Sequence, residues 1–161
     1  MPPDLHWALV LVIAMVTGIF GWIWMFIQAG YVKKIDPTSR ARLFLIFGLV
    51  AILAQFVATI VMAAGMAVAG AAAADSPERA LGGVMAGAMA GIFLVAILAL
   101  AAVIFMLSAV FGMRRSLVTY FNTVEPIGLR LSGVMTFFFN FLYFQYHLSR
   151  IAEWKKTGTL R

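Results

Sequence analysis

LFLIFGLVAILAQFVATIVMAAGMAVAGAAAA, residues 43–74, carries no ionisable side chain, and neither does LGGVMAGAMAGIFLVAILALAAVIFMLSAVFGM, residues 81–113. About 18 uncharged apolar residues are enough for a helix to cross a bilayer, and both runs far exceed that. A chain of 161 residues that is 64% hydrophobic is neither a soluble globule nor a disordered polymer. The composition reads as an all-α integral membrane helical bundle. Between the two runs, Asp75-Ser76-Pro77-Glu78-Arg79 supplies helix-start signals. Ser76 suits the capping position, and Pro77 suits the first turn, where its missing N–H costs nothing. Asp75 and Glu78 suit the positive end of the helix dipole. The two runs therefore form a helical hairpin with a tight tip. Each arm is roughly 45–50 Å long against a hydrocarbon core of about 30 Å, so the Ala/Gly-rich tip, residues 65–90, is expected to project beyond the lipid.

Further segments flank this hairpin. A first helix at about 5–31 has Trp7 toward one end and Trp22, Trp24 and Tyr31 toward the other, where aromatic anchors meet the headgroups. The loop after it, with Lys33, Lys34, Arg40 and Arg42 against Asp36, is cytoplasmic by the positive-inside rule. The hairpin arms are expected at 43–74 and 77–113. Over residues 114–124 the apolar Leu117, Tyr120, Phe121 and Val124 recur at helical spacing beside Arg114 and Arg115, which predicts a short interfacial helix ended by Glu125-Pro126. A fourth apolar segment, 131–149, is long enough to cross. The expectation is one membrane domain, 1–161, with four membrane-embedded helices. Its alternative is three spans plus one interfacial or re-entrant helix. Charge favours the alternative, because it leaves every Lys and Arg except Arg79 on one side. A crossing fourth segment would carry Arg150, Lys155, Lys156 and Arg161 to the other.

The net charge of +6 fits this picture without nucleic acid, since basic clusters beside spans meet the anionic headgroups of the lipid bilayer. Cysteine is absent, which removes disulfides, thiol catalysis and thiolate metal sites.

Three patterns are candidates for function. Gly83, Gly87 and Gly91 form a GxxxGxxxG face, and Gly65, Ala69 and Ala73 repeat the small-residue spacing on the other arm. Such a glycine zipper lets helix backbones approach closely, within one hairpin or between chains. On the fourth segment Thr136, Asn140, Tyr143, His147 and Arg150 follow helical spacing, a polar stripe suited to a pathway, a cleft or interhelical hydrogen bonding. Thr17, Gly21, Trp24, Gln28 and Tyr31 echo it 119 residues earlier, which would fit a duplicated helix. Gln55 and Thr59 form a smaller polar pair. Met62, Met66, Met85 and Met89 are the only thioether pairs suited to Cu(I), but Met85 and Met89 lie about 200° around the helix from the glycine face. Packing is their preferred reading, and no cofactor is expected. His6 and His147, at helix ends, read as interface residues rather than haem ligands. No HExxH, P-loop or GxSxG occurs and no acids pair on one face, so the chain reads as a non-enzyme.

The segments Thr17-Gly18-Ile19-Phe20-Gly21-Trp22-Ile23-Trp24 and Leu142-Tyr143-Phe144-Gln145-Tyr146-His147 resemble stretches of small, uncharacterised bacterial multi-span membrane proteins of the domain-of-unknown-function type. The resemblance implies a multi-pass protein of the bacterial inner membrane and transfers no site. The function expected is assembly through the small-residue face, as a homo-oligomer or an accessory subunit of a membrane complex. The alternative is a channel or transporter component lined by the fourth-segment stripe.

Overall fold

The structure, a computed structural model, describes residues 8–10, 12–13, 19–72, 77–125 and 127–157. His6, Trp7, Thr17, Ala73, Asp75 and Ser76 lie outside the described residues. Among those described there is no strand, and the chain is helical: α1 Ile19–Ile35, α2 Ala41–Ala72, α3 Pro77–Thr123 and α4 Gly133–Thr157, with residues 8–10 and 12–13 helical as well. Two helices, over Ala41–Ala71 and Gly82–Thr123, are long and apolar enough to cross a membrane.

Pro77 opens α3, as its fixed φ favours. The boundary expected at Met113 is absent. α3 continues for 47 residues to Thr123, so residues 114–123 are its last turns and the expected interfacial helix over 114–124 is not a separate element. Met113 and Arg114 mark where charge begins, but neither breaks a helix. The helix ends at Thr123, two residues before Glu125; Pro126 itself lies outside the described residues. Tyr120 O then accepts from Val124 N and Glu125 N, Phe121 O accepts from Ile127 N, and Gly128 takes φ +70.

The chain forms two compact units. The unit Ile46–Met106 consists of two hairpin arms. At Gly48 the arms are in van der Waals contact: an added Cβ would lie 3.6 Å from Phe105 Cβ and 3.7 Å from Ala102 O. Gly48, Ala51 and Ala102 are buried there, and the Phe47 and Phe105 rings lie 5.6 Å apart. The remaining surface is apolar and bare: Phe56, Val61 and Phe93 are each 65% exposed.

The unit Met1–Leu45 with Leu107–Arg161 holds the larger core. Met25, Val32, Leu45, Met113, Phe121, Phe144 and Leu148 are buried in it. The helix α4 is broken inside, at Asn140, with φ 42 and ψ −118. Those angles belong to the first central residue of a type II′ turn, a conformation that reverses a chain. The hydroxyl of Tyr143 accepts from Ser132 N at 3.1 Å. In a straight helix these residues would be about 16 Å apart along the axis, beyond a tyrosine's reach, so the chain bends back at Asn140. Near its far end, Lys155 Nζ pairs with Glu125 Oε1 at 2.9 Å, and near its start Leu131 O accepts from Arg114 at 2.9 Å (Nε) and 2.7 Å (Nη2). Both ends of α4 therefore return to the last turns of α3. The helix runs on to Thr157, past the expected end at Ser149, because nothing between Arg150 and Thr157 interrupts it.

Candidate functional site

The two small-residue faces meet a common space. Gly65, Ala69, Gly83, Gly87 and Gly91 line one cavity of about 350 Å³ between the arms, with Met62 and Met66 among its other walls. The seam is not a closed zipper. A Cβ added at Gly65, Gly83 or Gly87 would meet nothing within 4 Å, so the backbones stay apart there. Gly91 is the exception: the Met62 side chain lies over it, with Cγ 2.8 Å from where a Cβ would stand. Long flexible Met62 takes the room that glycine leaves, as thioether side chains do in irregular gaps. Met85 and Met89 are 59% and 58% exposed and face away from the cavity, so the four methionines do not converge. Gly48, outside the small-residue spacing, lets a backbone oxygen of the other arm come within 3.7 Å of where its Cβ would stand, next to Ala51 and Ala102. Thr59 Oγ1 donates to the Gln55 carbonyl in its own helix at 2.9 Å.

The polar stripe of α4 is bent at Asn140, and Thr136 and Tyr143, on either side of the break, both meet the Ser132 backbone. Thr136 is fully buried and donates to Ser132 O at 2.7 Å, while Tyr143 binds Ser132 N. His147 sits edge-on to Tyr143 and Tyr146, at 4.7 and 5.3 Å between ring centres, and Arg150 lies 5.8 Å over the Tyr146 ring. His147 and Arg150 also line a small pocket of about 210 Å³ with Arg130. Asn140 Oδ1 is buried without a hydrogen-bond partner.

The first helix meets α4 through a residue outside that stripe. Gln145, fully buried, accepts from Trp24 Nε1 at 2.8 Å and from Gln28 Nε2 at 3.3 Å, and Gln28 Nε2 also donates to Phe141 O at 2.9 Å. Gly21 lets the Phe141 ring come within 3.3 Å of where a Cβ would be. A glutamine in an aromatic run gives no periodic signal, and its partners lie more than 110 positions away.

A second site, also missed by spacing, forms where α2 begins. Pro37 and Asp36 make the turn between α1 and α2: Ser39 N donates to Asp36 O at 3.1 Å, and Asp36 Oδ1 accepts from Thr38 N at 3.0 Å and Thr38 Oγ1 at 2.6 Å. Its other oxygen accepts from Ser116 Oγ of α3 at 2.6 Å, and Lys33 Nζ donates to the carbonyls of Pro37 and Ser39. The Ser116 and Thr38 hydrogen bonds, with Lys33 nearby, hold the Asp36 carboxyl below its ordinary range. Beside this turn opens a pocket of about 600 Å³, lined by Asp36, Ser39, Arg40, Phe44, Arg115 and Thr119 among others. Close by, Glu125 is likewise held low by Lys155 and by the Tyr120 hydroxyl, against partial burial. Among the described residues, no three of His, Cys, Asp and Glu gather as a metal site. No protein-family model, no curated protein and no solved structure matches the chain.

Proposed function

We propose that the chain is a non-enzymatic, multi-pass protein of the bacterial inner membrane that assembles through its small-residue seam. The second unit supports the membrane placement: its arms expose Phe, Val, Ile and Leu on every side but the seam, a surface suited to lipid and not to water. Basic residues then meet the anionic headgroups of the bilayer, on the cytoplasmic side for every cluster but Arg79. Four helices are embedded. α1, α2 and α3 cross, and α4 re-enters, dipping to the exposed Phe137, Phe138 and Phe139 and bending back at Asn140 so that both its ends stay on the side of Glu125. This is the arrangement that charge favours.

The observation that carries assembly is the open seam. Close approach is the purpose of a GxxxGxxxG face in lipid, yet a Cβ added at Gly83 or Gly87 would meet nothing within 4 Å inside the hairpin. A second copy, or one helix of a larger complex, fills that space and covers the bare glycine backbone. Native mass spectrometry of the chain released from bilayers tests this. Gly87→Leu, whose side chain meets open space inside the hairpin, is expected to leave a folded monomer where the parent chain is oligomeric. An unchanged oligomer would refute the seam as the interface.

The alternative, a channel or transporter component, draws on one observation. Asn140 combines a left-handed backbone with a buried, unpartnered oxygen in an embedded helix, and broken helices line the sites of many transporters. It predicts that Asn140→Ala and His147→Ala lower the conductance of planar bilayers holding the protein without altering its oligomer. Equal conductance retires this reading.

A further inference from the structure

The pocket at the start of α2 has the composition of a headgroup site. Two arginines reach it from different elements, Arg40 from the turn before α2 and Arg115 from α3. Both are exposed, and among the described residues neither guanidinium has an ion-pair or hydrogen-bond partner. The one carboxylate in the lining, Asp36, is already engaged through both oxygens, by Thr38 on one and Ser116 on the other. A guanidinium is built to bind a phosphate oxygen pair. Two of them in one concavity outnumber its single carboxylate, whose oxygens are already taken by Thr38 and Ser116, and leave an anion as the missing partner.

The rest of the lining chooses among anions. Phe44, Ala41, Gly112 and Val124 give the same pocket an apolar wall, while Ser39 and Thr119 add hydroxyls. Its lining residues Phe44 and Gly112 stand next in sequence to exposed Leu43 and Phe111, near the ends of the two uncharged runs. A free phosphate has no use for that wall, whereas a glycerophospholipid brings a phosphate, a polar glycerol and the start of its acyl chains together. At about 600 Å³ the pocket has room for such a headgroup.

We infer that this pocket is a specific site for an anionic glycerophospholipid, its phosphate held by Arg40 and Arg115 and its glycerol and first methylenes set against Phe44 and Gly112. The inference rests on the membrane placement proposed above and goes beyond it, from general headgroup attraction to one built site. The full-length protein in detergent is titrated with phosphatidylglycerol, phosphatidylethanolamine and glycerol 3-phosphate, and bound lipid is counted by native mass spectrometry. Phosphatidylglycerol is expected to bind in preference to phosphatidylethanolamine. Arg40→Gln with Arg115→Gln lowers its affinity on the order of tenfold, Arg40→Lys with Arg115→Lys retains part of it, and Lys34→Gln with Arg42→Gln, outside the pocket, leaves it nearly unchanged. Equal losses in the two glutamine pairs would overturn the site in favour of diffuse surface charge, while leaving the membrane placement intact. Tight glycerol 3-phosphate binding that displaces the lipid would overturn it in favour of a soluble anion. Recovery of the protein outside the membrane fraction would instead overturn the placement itself.

Discussion

Asn140 carries more of the architecture of α4 than any other single residue. At φ 42 and ψ −118 it stands where glycine is at ease and other L-residues are strained. Asn140→Gly is therefore expected to keep the bend and raise thermal stability by about 1 kcal/mol, and Asn140→Val to lower it by more. Melting followed by circular dichroism in detergent checks both. The sequence marks this position as polar but not as a bend, because an asparagine inside an apolar run fits an interhelical hydrogen bond as readily as a turn. Asp36 makes a different kind of prediction. Its folded carboxyl titrates below the unfolded one, so its contribution is complete above the ordinary carboxylate range and is lost as pH falls through the lowered value. Glu125 acts in the same direction. Stability should thus hold from neutral pH down to the ordinary carboxylate range and decline only on further acidification, and Ser116→Ala should shallow that decline. A slope unchanged in Ser116→Ala would deny the Asp36–Ser116 bond its role.

At the scale of the element, α2 and α3 were legible because a long uncharged run in a chain this apolar leaves few other structures to form. Where α3 ends was not. Arg114 and Arg115 locate the edge of the apolar stretch, but helix ends are set by backbone geometry, and that changes only after Thr123. The small-residue spacing named the faces that line the seam, but not how close they come, since backbone separation depends on what the longer neighbours do. Met62 decides it at Gly91. Gly91→Leu should lower the stability of the hairpin by about 1–3 kcal/mol, the usual cost of forcing a side chain into occupied space. Met62→Ala in the same chain should restore much of it, as measured by unfolding in detergent. At Gly87 the same change meets empty space and should act on the oligomer alone, so the two glycines separate folding from assembly.

For the whole molecule, the division of charge is the organising fact. Every Lys and Arg except Arg79 belongs to the unit formed by Met1–Leu45 and Leu107–Arg161, and Ile46–Met106 is almost bare of charge. Hydropathy alone counts four apolar segments and, read span by span, sends the fourth across. The Glu125–Lys155 ion pair and the Tyr143–Ser132 hydrogen bond argue otherwise, and they join residues 30 and 11 positions apart that no periodicity connects. The proposed seam interface and headgroup pocket both depend on the proposed topology, in which the hairpin crosses the bilayer and the basic clusters other than Arg79 are cytoplasmic. Paired reporters of compartment, one fused after Arg161 and one inserted beside Arg79, measure it directly. A cytoplasmic signal from Arg161 with an external signal from Arg79 is the predicted result. An external signal at Arg161 would mean that α4 crosses outright, and would contradict the account.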